Sequence, residues 1–237
     1  MDNNETEMPI TGHLNELRKR VTWIFIFVMI TAVVAFAFNR QIIAMLLMPF
    51  PDGVEIVQIG VTEGLGVSMK VAIVAGLFVA FPVISFQTIM FINPALEKKE
   101  KRYVYYSLPI VFTLFFLGIS FSFFLLLPFM MKFLPTFLGD LVTPQISVRS
   151  VVGTTLWLMF VMGFIFQIPV VMFVLAKIGI LDPGKVAKQR KFAILLSVIA
   201  GAVITPTGDP INMLIWAAPI WVLFEIGLVL ARIASDK

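Results

Sequence analysis

The chain has 237 residues, of which 59% are hydrophobic and only 14% charged. A soluble domain of this length could not cover that much apolar surface, so the composition excludes one and leaves little room for a separate soluble domain. Net charge is +4 and cysteine is absent, which excludes disulfides and thiolate metal sites.

In chain order, residues 11–20 come first as an amphipathic helix. Ile10, Leu14, Leu17 and Val21 form one apolar stripe, with His13, Glu16 and Arg20 off it. Glu16 and Arg20 stand at helical i,i+4 spacing, where an ion pair contributes about 0.3–0.5 kcal/mol. An apolar run at about 21–38 follows. It is too long for the core of a signal peptide, follows a polar segment and has no small-residue cleavage pattern behind it, so we expect a retained span. A second run covers about 71–92 and carries Gln87 near its end, where an amide can snorkel.

Asn93 and Pro94 are a helix-capping residue and a first-turn residue, so a helix restarts there and runs into the third apolar segment, about 103–131. On this helix Glu97 meets Lys101 at i+4, whereas Glu100 has no cation at i±3 or i±4. Glu100 is therefore either a solvated glutamate or a carboxylate open to an arginine of another molecule, which would match it bidentately. The fourth run, about 151–176, holds Gln167 at mid-span, two residues before Pro169. The fifth, about 192–205, is short; the sixth, about 211–231, holds Glu225. Polar groups inside a span are costly, and the structural reading of these two is an interhelical hydrogen bond and a carboxylate that is paired or protonated. Pro82, Pro109, Pro128, Pro169 and Pro219 each remove an intrahelical bond and invite a kink.

In hydrocarbon the backbone must satisfy its own hydrogen bonds, so such runs are helices, and a span takes about 20 residues. The expected fold is an all-α membrane protein: one domain over 1–237, six transmembrane helices and a kinked, concave bundle. Of the eighteen Lys and Arg, all but Arg40, Lys70, Lys132 and Arg149 fall at the termini or in the second-to-third and fourth-to-fifth connections. By the positive-inside rule both termini are cytoplasmic, and 39–70, 132–150 and 206–210 face outward.

No phosphate-binding GxxxxGK[ST] loop is present, and the single histidine, His13, lies outside every span. We therefore expect no enzyme, no cofactor and no metal site, and the basic faces need no nucleic acid to explain them. Gln167 and Glu225 leave open a small-solute secondary transporter with a midplane polar site, which would require paired broken helices. A membrane scaffold without a ligand is the other alternative.

Five stretches in register resemble the TatC family of twin-arginine translocase subunits: residues 13–20, Phe91 to Leu96 with the charged run after it, 166–169, Thr205-Pro206 with Asp209, and 224–227. The resemblance runs from about residue 9 to the C-terminus. It implies six helices with both termini inside, a glove-like shape, and a place in a multimeric complex with TatA- and TatB-type single-span partners. It implies binding of the twin-arginine signal peptides of folded cargo, with export driven by the proton-motive force. By position, Glu16 and Glu100 match the acidic residues around the signal's arginine pair, and Arg18, Phe91, Pro94 and Leu96 match the supporting motif. Pro49 and Asp209 match outward positions. Gln167 matches a buried position that is glutamate in many relatives; here it is an amide and cannot titrate. The expected location is a prokaryotic plasma membrane.

Overall fold

The computed structural model describes residues 10–50, 55–92, 98–133, 145–205 and 209–235, and the backbone alone for 10–13, 92, 98–100 and 131–133. The chain is mostly helical. Among the described residues five segments are long and apolar enough to cross a membrane: Leu14–Ala37, Glu63–Phe91, Lys101–Met130, Val148–Lys177 and Pro210–Ser235.

Helix α1 (Ile10–Ala37) is continuous from the amphipathic segment through the first apolar run. Its stripe Leu14, Leu17 and Val21 is exposed rather than packed on the protein. α1 lies against α3 (Glu63–Ile92), where Gly76 leaves room for it: a Cβ there would stand 2.6 Å from the backbone of Ala32. Thr31 Oγ1 donates to the Gly76 carbonyl at 2.9 Å across this contact. α3 begins eight residues before the expected span, because Lys70 interrupts the apolar run without interrupting the helix. Between α1 and α3 lie α2 (Asn39–Leu47) and strand β1 (Glu55–Val57), in a stretch that reads as loop.

The third apolar run forms α4 (Lys98–Phe121), a π-helical turn at Ser122–Leu126, and α5 (Leu127–Phe133). The widened turn directly precedes Pro128, whose ring in a regular helix would meet the carbonyl of Phe124. Strand β2 (Gln145–Ser147) pairs with β1 in parallel, Glu55 opposite Gln145. This short ladder departs from the all-α expectation. Three-residue strands far apart in sequence carry no periodicity to detect.

The fourth run is broken at Phe166–Gln167 into α6 (Val148–Ile165) and α7 (Ile168–Lys177). Gln167 N–H turns back to Phe164 O at 2.9 Å, and Pro169 occupies the first turn of α7, where its missing N–H costs nothing. α8 (Pro183–Lys188) is a short helix in the expected fourth-to-fifth loop, started by Asp182. The N–H groups of Lys185 and Gly184 donate to the Asp182 carboxylate and hold its pKa below the ordinary value. α9 (Arg190–Ile204) has 15 residues, and α10 (Pro210–Ser235) has 26.

The helices pack in sequence across the molecule: α1 on α3, α3 and α4 on α6, α7 on α10, and α10 on α9. The centre is Phe115, Leu127, Met130, Leu156, Met162 and Trp216, all essentially inaccessible. Phe81 stacks on Phe115 at 3.5 Å, with Phe164 edge-on to both.

Candidate functional site

The residues that hold most of the positive charge gather at one end of the bundle. Arg20 on α1 donates to Gln87 near the end of α3 at 3.1 Å. Tyr105 in the second turn of α4 reaches Met90 of α3. Lys177, the last residue of α7, donates to the Ala234 carbonyl near the end of α10 and lies over the Tyr103 ring at 5.1 Å. Arg190 at the start of α9 pairs with Glu225 of α10 at 2.7 Å. Thus α1, α4, α7, α9 and α10 bring basic residues to the same end, which α3 closes with Gln87 and Met90.

Here Glu16 and Arg20 form the pair that their spacing predicts. Arg20 Nε donates to Glu16 Oε1 at 3.0 Å, and Nη2 reaches the same oxygen. The pair is about four-fifths buried, with side-chain exposures of 22% for Glu16 and 17% for Arg20. Arg20 uses a third N–H on Gln87, so Gln87 does not simply snorkel as its place in the span suggests: it fixes the guanidinium from the facing helix. Arg18, two residues from each member of this pair, is exposed and accepts, through its carbonyl, the Thr22 hydroxyl. Phe91 is half-buried in the last turn of α3. Glu100 lies in the first turn of α4, which places its backbone at this same end; its side chain is outside the described residues. Pro94, Leu96, Asn93 and Glu97 are outside them too, as is the expected Glu97–Lys101 pair.

Gln167 sits at the break between α6 and α7. Its Nε2 donates to Val111 O of α4 at 3.3 Å and to Gly163 O at 3.2 Å. Its Oε1 is buried and meets no donor among the described residues. Glu225 is a paired carboxylate, bound by Arg190, and is therefore an end-of-bundle ion pair rather than a midplane group. Sequence spacing could not find Arg190, because the two belong to different helices.

At the opposite end Asp209 caps α10. Its Oδ1 accepts the Asn212 N–H at 2.8 Å, and its Oδ2 the Asn212 side-chain amide at 2.9 Å. Pro210 follows as the first helical residue, the arrangement that the Asp-Pro dipeptide favours. Pro49 is half-buried in the turn after α2. Glu63 escaped the sequence reading, yet its carboxylate is the hub of this end. Oε2 accepts the N–H of Ile59 (2.7 Å) and Gly60 (3.0 Å), and Oε1 the N–H of Arg149 (3.0 Å). A glutamate at the start of a helix gives no cue that it will cap a second helix far along the chain. Among the described residues no His, Cys, Asp and Glu cluster could hold a metal ion.

Long apolar helices with few interior polar groups define a polytopic α-helical membrane protein. Residues 12–219 match the family model described as Sec-independent protein translocase protein (TatC). The chain is 32% identical to the Sec-independent protein translocase protein TatC of Carboxydothermus hydrogenoformans, over 97% of this chain and 95% of that one. It is 35% identical to the TatC of Aquifex aeolicus, over 97% of each. A crystal structure of a twin-arginine translocase receptor TatC superposes with a TM-score of 0.81 at 35% identity, over 94% of this chain and 99% of that one. The chain belongs to the TatC family: it is a membrane-embedded component of the Sec-independent protein translocase, and no catalytic activity is indicated for it.

Proposed function

We propose that this protein is the receptor subunit of a twin-arginine translocase in a prokaryotic plasma membrane. On this reading residues 1–237 form one domain with six spans, α9 being the short fifth, and a concave bundle face. The basic end, with both termini, faces the cytoplasm. It binds the twin-arginine signal peptides of folded cargo through Glu16 and Glu100, with Arg18, Phe91, Pro94 and Leu96 in support. TatA- and TatB-type single-span proteins join it in a multimeric complex, and the proton-motive force drives export. Gln167 and Glu225 are then contact points for partner helices or inserted signal, and Pro49 and Asp209 belong to the outward face.

The observation that carries the reading is at Glu16: its carboxylate already holds a guanidinium, that of Arg20, at the end where Glu100 lies in the first turn of α4. A site built for arginine is thus occupied by an internal one, and an incoming arginine must compete with it. Losing one charge-assisted pair costs roughly 1.5–3 kcal/mol, about ten- to a hundredfold in affinity. Signal-peptide binding to the purified protein tests this. Glu16→Gln and Glu100→Gln should each lose about that factor, and Glu97→Gln, whose charge has Lys101 at i+4, much less. Arg20→Gln should tighten binding by freeing Glu16. Equal losses at Glu97 and Glu100, or weaker binding in Arg20→Gln, would refute the assignment.

The break at Gln167 is the one feature that favours a secondary transporter. Such a site needs a second broken helix facing the first. Among the described residues the third run has a π-helical turn instead, and the remaining long spans run unbroken past their prolines.

A further inference from the structure

Where α3 and α6 begin, side by side beyond the β1–β2 ladder, two cations cross the seam in opposite directions. Arg149 of α6 leans onto α3: its Nη2 lies 3.4 Å from the Cβ position of Gly66. Lys70 of α3 leans onto α6: its Nζ lies 2.9 Å from the Cβ position of Gly153. Gly66 and Lys70 are one turn apart on α3, as are Arg149 and Gly153 on α6. The four therefore form two levels, each with a cation seated in the glycine notch of the facing helix. About one turn, ~5.4 Å of axial rise, separates the two levels.

Neither side chain makes a hydrogen bond or ion pair among the described residues, and both are exposed. Glu63 is the acidic neighbour. Its carboxylate interacts electrostatically with Arg149, but its two oxygens already accept three backbone N–H groups, and it makes no ion pair with either cation. With Glu63 counted, the seam still carries a net positive charge. Two like charges converging on one seam beside apolar helices favour an anion between them. Their depth selects it. Lys70 and Arg149 stand where the apolar runs of α3 and α6 start, the level of lipid phosphates. Along α3 beside them Leu65 is 62% exposed, and Met69 and, one turn deeper, Ile73 are each 53% exposed, a face for acyl chains. A cleft of about 280 Å³ lined by Thr62, Ser147 and Arg149, with Ile59, Gly60 and the carboxylate-bearing Glu63, opens directly above the seam.

We infer that the Lys70–Arg149 seam binds the phosphate of an anionic phospholipid, with the headgroup in the cleft and the chains along Leu65, Met69 and Ile73. Lys and Arg donate to different phosphate oxygens, and the glycine notches keep them from spreading apart. The bound lipid would clamp α3 to α6 at the end where the ladder joins the loops before them. The site is independent of the translocase reading and of which side of the membrane this end faces.

The test is native mass spectrometry of the full-length protein released from nanodiscs containing phosphatidylglycerol and phosphatidylcholine in equal amounts. Wild type should retain phosphatidylglycerol about tenfold over phosphatidylcholine. Lys70→Gln and Arg149→Gln should each abolish the preference, and Arg149→Lys should keep most of it. Gly153→Ala leaves every charge in place but displaces the Lys70 ammonium, and should weaken retention severalfold. Unchanged retention in both glutamine variants would overturn the site. Displacement by millimolar inorganic phosphate, with no preference between the lipids, would overturn the lipid as occupant in favour of a free anion.

Discussion

At the scale of single residues, Gln167 has the most to give. Both amide hydrogens are spent on carbonyls of α4 and α6, while its buried oxygen meets no donor among the described residues. An unsatisfied acceptor in a membrane interior costs about 1–3 kcal/mol, and a donor brought by a partner helix or an inserted signal would recover it. If that is its role, Gln167→Leu should impair export while leaving the subunit folded, and Gln167→Glu should be tolerated because a protonated carboxyl still donates once. Thermal stability of the isolated protein and cargo export, measured together, separate the cases. Export that is unchanged in Gln167→Leu would leave Gln167 a purely structural amide.

At the scale of elements, α9 is the anomaly. Its 15 residues span about 22 Å at ~1.5 Å each, against a hydrocarbon core about 30 Å thick. Tilting would only shorten its reach. The structure shows where it stops: Trp157 Nε1 of α6 donates to Ile204 O at the end of α9, and Trp157 is nine residues into α6. That is about 14 Å along the α6 axis. α10 has 26 residues and makes up its own length, so the deficit belongs to α9. The bilayer should thin beside it, and a short single-span partner would find its matched thickness there. Four apolar residues inserted after Val203 should restore the span and reduce partner assembly and export. Gly201, whose Cβ position is crowded by Met213 O of α10, keeps its place in such a variant. Normal assembly and export with the longer helix would remove any role for its shortness.

At the scale of the whole molecule, the orientation is open to a direct check, since there is no native cysteine to confuse labelling. Val61 is 98% exposed at the ladder end, and Ser235 is exposed at the last turn of α10. In intact cells a membrane-impermeant maleimide should label Val61→Cys, and label Ser235→Cys only after permeabilisation. The reverse pattern would invert the topology, and labelling of both from one side would break the count of six spans.

Composition and apolar run length alone determined that the chain is a helical membrane protein, because hydrocarbon allows an unpaired backbone no alternative. Local spacing determined the Glu16–Arg20 pair and the kink at Pro169, since each joins residues within one or two turns. The tertiary structure decided what crosses between helices. Arg20 finds Gln87, Arg190 finds Glu225, Glu63 caps the start of α6, and β1 finds β2. Each of these joins residues 35 to 90 positions apart. Lys70 and Arg149 read in the sequence as two stray charges on the sparsely basic side. They become one site because two helices begin side by side, each with a glycine where the other's cation must pass.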